Sequence, residues 1–164
     1  PLIDGELSTL ILGEYHRLLD ERHRLTIPVE MIQRLDADIQ ELLLVKEQPG
    51  ALSLWNAQQW QPRWNQDLEL IERKLQAGRF VDRLGDVQLW GRLLSTRQRT
   101  IRLADRGRLL IPEGFREFLG VEPGGSVMVV GAALCVEIWH PENWRQHLAM
   151  EIPKFRELKD NLST

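Results

Sequence analysis

Asp20-Glu21-Arg22-His23-Arg24-Leu25-Thr26-Ile27-Pro28 returns 84 positions later as Ala104-Asp105-Arg106-Gly107-Arg108-Leu109-Leu110-Ile111-Pro112. The correspondence runs without a gap from Leu19 to Trp60 against Leu103 to Trp144, with ten of 42 aligned positions identical. Besides the R-x-R-L-x-I-P block, the identities include Leu19/Leu103, Leu35/Leu119, Val45/Val129, Trp55/Trp139 and Trp60/Trp144. A fixed period of this length marks a duplicated supersecondary unit.

Each copy reads through the same succession of signals. Gly13 to Leu19 and Arg99 to Leu103 predict short strands, and the polar stretches Asp20 to His23 and Ala104 to Gly107 predict tight connections. Second strands follow at Arg24 to Ile27 and Arg108 to Ile111. Pro28 and Pro112 suit the first turn of a helix, where the missing N–H costs nothing, and Met31, Ile32 and Leu35 or Phe115, Phe118 and Leu119 supply helical spacing. A hairpin then reads from Leu42 to Val45 into Leu52 to Trp55, matched by Ser126 to Val130 and Leu134 to Trp139. Helices begin near Trp60 and Trp144. Between the copies, Arg63 to Gln76 and Phe80 to Leu94 read as two helices, with Gly78 as a stop.

Four short strands and one turn of helix leave an apolar sheet face uncovered, so the two copies are expected to pack on each other. The fold class expected is α+β, β-dominated: a pseudo-twofold barrel with both R-x-R hairpins on one side and helices at the periphery. The corresponding partition is a first repeat at 12–62, a helical insert at 63–95, a second repeat with its terminal helix at 96–149 and a tail at 150–164, all in one compact unit.

With 164 residues and 43% hydrophobic content, the chain has enough apolar mass for a real core. There is no run long enough to cross a bilayer, and Leu7 to Leu12 is too short and lacks the basic flank of a signal peptide, so a cytoplasmic location is expected. Cys135 is the single cysteine and lies in an apolar strand pattern, which predicts a buried thiol and excludes an internal disulfide.

A net charge of −3 argues against a protein that coats nucleic acid with its whole surface, but the charge is segregated. Arg92 to Arg108 carries six arginines and one acid, while acids collect in Glu30 to Glu47 and Glu151 to Asp160. His16, His23, His140 and His147 form no zinc pattern. No nucleophile, base and acid recur in a catalytic arrangement, and Gly124-Gly125 follows a helix rather than a strand, the wrong order for a phosphate loop. The expectation is therefore a non-enzyme without metal, cofactor, small-molecule substrate or membrane partner. The paired tryptophans follow apolar strands and are read as core or subunit-interface packing rather than platforms for single-stranded nucleic acid.

The stretch Gly13 to Pro28, its copy Ala104 to Pro112 and the closing Glu137-Ile138-Trp139 resemble the MraZ family of bacterial transcriptional regulators, built from two AbrB-like (SpoVT-AbrB) repeats. The resemblance covers roughly Leu12 to Ala149. It implies a swapped-hairpin barrel in each chain, a ring-shaped homo-oligomer, a place at the nucleoid, and binding to repeated promoter elements upstream of the division and cell-wall gene cluster. The family's D-x-x-x-R signature is Asp20 to Arg24 in the first copy. The second keeps Arg108 but has Ala104 in the aspartate's place, and the first has His23 where glycine is usual.

Arginine suits contact with double-stranded DNA, because its planar fork holds a guanine edge or a phosphate through two parallel hydrogen bonds. Arg22 with Arg24, and Arg106 with Arg108, are expected to project to one side, with Asp20 steering Arg24 across the hairpin. Arg17, Arg99 and Arg102, in the strands that lead into the two turns, complete the candidate DNA-binding set. One such module binds weakly in salt, and a ring of linked modules on consecutive DNA repeats raises avidity by ~10²–10⁴. The competing reading is an AbrB-like oligomeric scaffold that binds a protein partner with weakened DNA contact, motivated by Ala104 and His23.

Overall fold

The structure, a computed structural model, describes residues 9–36 and 41–164. Positions 7 and 8 of the Leu7 to Leu12 tract lie outside the described residues. The first repeat supplies β1 (Glu14–Leu18), β2 (Arg24–Thr26), α1 (Val29–Leu35), β3 (Leu42–Gln48) and β4 (Ala51–Asn56). The insert follows as α2 (Ala57–Gln76), a single 3₁₀ turn at Val81–Arg83 and α3 (Leu84–Arg97). The second repeat gives β5 (Gln98–Ile101), β6 (Arg108–Leu110), α4 (Arg116–Leu119), β7 (Ser126–Gly131) and β8 (Val136–Trp139), then α5 (Pro141–Glu151) and α6 (Phe155–Leu162).

The result is an α+β fold around a six-stranded antiparallel sheet, ordered β1-β7-β8-β4-β3-β5, with β2 and β6 paired as a separate ribbon. Exchanging the two repeats maps this order onto itself. The registers locate the local twofold: Ser53 faces Glu137 in the middle of β4–β8, and Leu25 faces Leu109 in the middle of β2–β6. Both pairs are separated by the repeat period. The first strand of each repeat is exchanged, since β1 pairs with β7 and β5 with β3.

The hydrogen-bonded ladder does not close into the expected barrel. β1 and β5 are the edges of the sheet, and the ribbon pairs only with itself. The ribbon is limited to three residues per strand by Pro28 and Pro112, which follow Ile27 and Ile111 and bring no N–H to extend a ladder. Strand alternation sorts its faces. Leu25 and Leu109 are buried with Ile27 and Ile111 in one apolar cluster, drawn from both repeats, that also holds Leu42, Leu52, Val127 and Ile138. Burial of each of these leucines contributes about 1.5–3 kcal/mol.

Several local differences from the sequence reading have clear causes. Helix α2 begins at Ala57, where Asn56 caps it by accepting the Gln59 N–H at 2.9 Å, and it continues through Pro62 across the 62/63 boundary read from sequence. Helix α4 is a single turn because Gly114, at φ 92°, keeps the chain out of helical conformation just after Pro112. Helix α5 starts at Pro141, ahead of Trp144, with the His140 ring capping the Glu142 N–H. Among the described residues, no helix is long and apolar enough to cross a membrane.

Candidate nucleic-acid interface

Asp20 organises the first turn. Its Oδ1 accepts the backbone N–H groups of Arg22 (2.8 Å) and Arg24 (2.9 Å), and its Oδ2 accepts Arg24 Nε at 3.0 Å. The main chain closes the same turn through His23 N–H to Asp20 O and Asp20 N–H to Arg24 O. The Arg24 N–H foremost, opposed by desolvation and reinforced by the Arg22 N–H and the Arg24 guanidinium, holds the Asp20 carboxyl below its ordinary value of 3.8. The carboxylate therefore fixes the Arg24 side chain, as its spacing predicted.

The second turn lacks this device. Ala104 has no side-chain acceptor: its carbonyl accepts from the Gly107 and Arg108 N–H groups, its own N–H donates to the Arg108 carbonyl at 2.8 Å, and the chain turns tightly through Asp105–Gly107. Two residues there take left-handed backbone, Arg106 at φ 65° and Gly107 at φ 70°, against His23 alone in the first turn at φ 61°. A Cβ at Gly107 would also meet the terminal methyl of Ile32 at 2.1 Å, so that side chain would have to shift. Arg108 Nε reaches the Asp105 carbonyl at 3.3 Å, and no carboxylate pairs with Arg108 among the described residues.

Antiparallel register brings the two strand-initial arginines onto one surface. Arg24 faces Leu110 and Thr26 faces Arg108, and with Leu25 and Leu109 turned inward these four side chains share the ribbon's outer face. Arg24 and Arg108 stand at diagonal corners, with Cα atoms roughly 7–8 Å apart. Thr26 was not anticipated; the period-2 alternation starting at Arg24 carries the signal that finds it. Leu110, 52% exposed, adds an apolar patch beside Arg24.

The remaining candidates divide. Arg22 and Arg106 do not extend their strands, because β2 and β6 start at Arg24 and Arg108 and the turns claim the two preceding residues; both arginines are exposed at the turn tips. The same-side projection expected of each R-x-R pair therefore does not follow from strand geometry. Arg17, on edge strand β1, stacks over Tyr15 at 5.2 Å. Arg99, on edge strand β5, lies 5.8 Å from the Phe115 ring centre, and Arg102 pairs with Glu41 at 3.6 Å. These three belong to the sheet and its margin rather than the ribbon.

Other residues singled out by sequence fall in place around this frame. Cys135 is buried, and desolvation foremost, with Glu137 and Glu47 nearby, pushes its thiol far up. Among the described residues no three His, Cys, Asp or Glu side chains gather to hold a metal ion. Trp139 is 3% exposed and packs against Trp144 at 5.4 Å, as core packing requires, while Trp55 and Trp60 are only half-buried.

The model of the antitoxin-like MraZ protein family matches residues 97–162. Over 153 residues, covering 93% of this chain and 96% of each relative, the chain is 28% identical to the transcriptional regulator MraZ of Syntrophomonas wolfei and 25% identical to that of Heliobacterium modesticaldum. Among solved structures, the solution structure of PHS018 from Pyrococcus horikoshii aligns with 79% of this chain and 88% of that one, at 14% identity and a TM-score of 0.33.

Proposed function

We propose, from its similarity to the MraZ family, that the chain is a transcriptional regulator that grips repeated promoter elements in double-stranded DNA through the β2–β6 ribbon and its two turns. One observation carries this reading: Arg24 and Arg108 share an outward ribbon face, and Arg24 is pre-oriented by Asp20. A two-stranded antiparallel ribbon fits the major groove, about 12 Å wide, and a fixed guanidinium there holds a guanine edge bidentately. Thr26 and Leu110 complete the face with a hydroxyl and a methyl-bearing side chain, the groups that contact base edges and thymine methyls. Arg22 and Arg106 at the turn tips supply phosphate contacts, which position the ribbon without reading sequence. Arg17, Arg99 and Arg102 flank it as weaker, non-specific contributors.

Since one acidic chain with few free arginines binds weakly, the protein acts as a ring homo-oligomer whose chains engage consecutive DNA repeats. Strand exchange between β1 and β7 and between β5 and β3 supports reading each chain as a swapped-hairpin unit, open rather than closed. The two repeats, the helical insert at 63–95 and the tail act as one unit in the cytoplasm, at the nucleoid, repressing the division and cell-wall gene cluster. The protein carries out no reaction.

The test is fluorescence anisotropy on duplex DNA from the region upstream of the chain's own gene, repeated over a range of salt. A log–log salt slope of about four or more, with a footprint spaced at the DNA repeat, supports the reading. Absence of binding at low salt would instead favour the protein-binding scaffold.

A further inference from the structure

Four tryptophans line one cavity, where Trp55 and Trp64 pack against buried Leu43, Val45 and Ala57, and the DNA reading gives this arrangement no part. Trp60 and Trp64, one turn apart on α2, stand at 72° and 71° to Trp55 on β4, with ring centres 4.9 and 6.0 Å away. Trp90 of α3 lies across from them, and together they line a cavity of about 380 Å³, a size suited to a small molecule. Glu47 and Asp67 also line it, against one cation, Arg97, so the lining carries net negative charge. Arg97 is 3.8 Å from Glu47, whereas Asp67 has no ion-pair partner among the described residues.

The residues that build this cavity differ from those at the corresponding positions of the second copy. Positions 63, 64 and 67 correspond to 147, 148 and 151 at the repeat period. In the second copy His147 packs on Trp139 with ring centres 4.7 Å apart and pairs with Glu151. In the first, Arg63 sits 4.4 Å over Trp60 and leaves Asp67 unpaired, Trp64 replaces Leu148, and the insert adds Trp90. Arg63 already shows that the face of Trp60 accepts a cation.

We propose that this tryptophan cavity is a binding site for a small organic cation of the quaternary ammonium class, with its charge against the tryptophan faces and Asp67. Ring faces attract such a cation, and a weakly hydrated one enters an apolar box at little desolvation cost. The assignment does not depend on DNA binding, and its test reads binding directly.

The full chain is titrated with choline and with 3,3-dimethylbutan-1-ol, its neutral carbon isostere, by tryptophan fluorescence and calorimetry. Saturable choline binding about tenfold or more tighter than the isostere is expected, weakened roughly threefold to tenfold by Asp67→Asn and further by Trp90→Leu. Trp144→Phe, in the second copy, leaves it unchanged. Equal affinity for the two compounds would reduce the site to an apolar hole and overturn the proposal. So would the absence of saturable binding, or Asp67→Asn binding choline as the parent does with an unchanged melting curve.

Discussion

Replacing Gly107 by alanine tests the architecture of the second arginine turn at one atom. Two costs are expected. An alanine held at φ 70° carries about 1–2 kcal/mol of left-handed backbone strain. Its Cβ would lie 2.1 Å from Ile32 Cδ1, and Ile32 is 7% exposed and packed in the core, so it yields only by leaving its preferred rotamer, at about 1–2 kcal/mol. The stiffer unfolded chain returns about 0.4–1 kcal/mol. The net loss is about 2–3 kcal/mol, read as a lower urea midpoint at constant m-value. Ile32→Val removes the clashing methyl and alone costs about 0.5–1.5 kcal/mol. Combined with Gly107→Ala it relieves the contact, so the double mutant is more stable than the sum of the single effects by about 1 kcal/mol. A Gly107→Ala protein within about 0.5 kcal/mol of the parent, or strict additivity with Ile32→Val, would refute the packing of this turn on α1.

The first turn gives the converse expectation: His23→Gly relieves a non-glycine residue at φ 61° and removes a buried Nδ1 that has no hydrogen-bond partner, so it raises stability by about 1 kcal/mol, with a higher melting temperature as the readout. Asp20→Ala accelerates amide exchange at Arg22 and Arg24 while sparing the sheet. Because the Asp20 pKa is depressed in the folded state, its contribution is complete above the ordinary value of 3.8 and is lost as pH falls through the lower folded value, so the parent's protection at these amides holds from pH 7 to 5 and decays only in stronger acid. Glu137 is the opposite case. Burial foremost raises its pKa, so its ionisation opposes folding as pH rises above 4.5, and Glu137→Gln increases thermal stability at pH 7 with a gain that vanishes near pH 4.

Much of this molecule was legible because it is said twice in the sequence. The period of 84 residues identified equivalent elements, and the covered core followed from the apolar residues flanking each proline. Asp20 over Arg24 was legible too, since a short carboxylate four residues ahead of an arginine reaches it across a tight turn. What the sequence concealed were consequences of pairing over long separations. That β2 finds β6 rather than a neighbour in its own repeat, which sets Thr26 opposite Arg108 and leaves the six-stranded sheet open, depends on register between segments far apart in the chain. Arg22 was expected to project beside Arg24 because strand alternation was carried back into a turn that the Asp20 side chain organises. The tryptophan cavity was hidden for a related reason: Trp90 and Trp55 line it together only through the placement of α3.

The proposed grip on DNA lies on the outward face of the β2–β6 ribbon. It is tested most directly by measuring the affinity of the Arg24→Ala, Arg108→Ala double mutant for duplex promoter DNA carrying the repeated element, at fixed salt and with the oligomeric state checked by light scattering. Loss of about 100-fold or more in affinity, with a shallower salt slope and an unchanged oligomer, is the predicted result. Binding at the parent's affinity by a folded double mutant would contradict it.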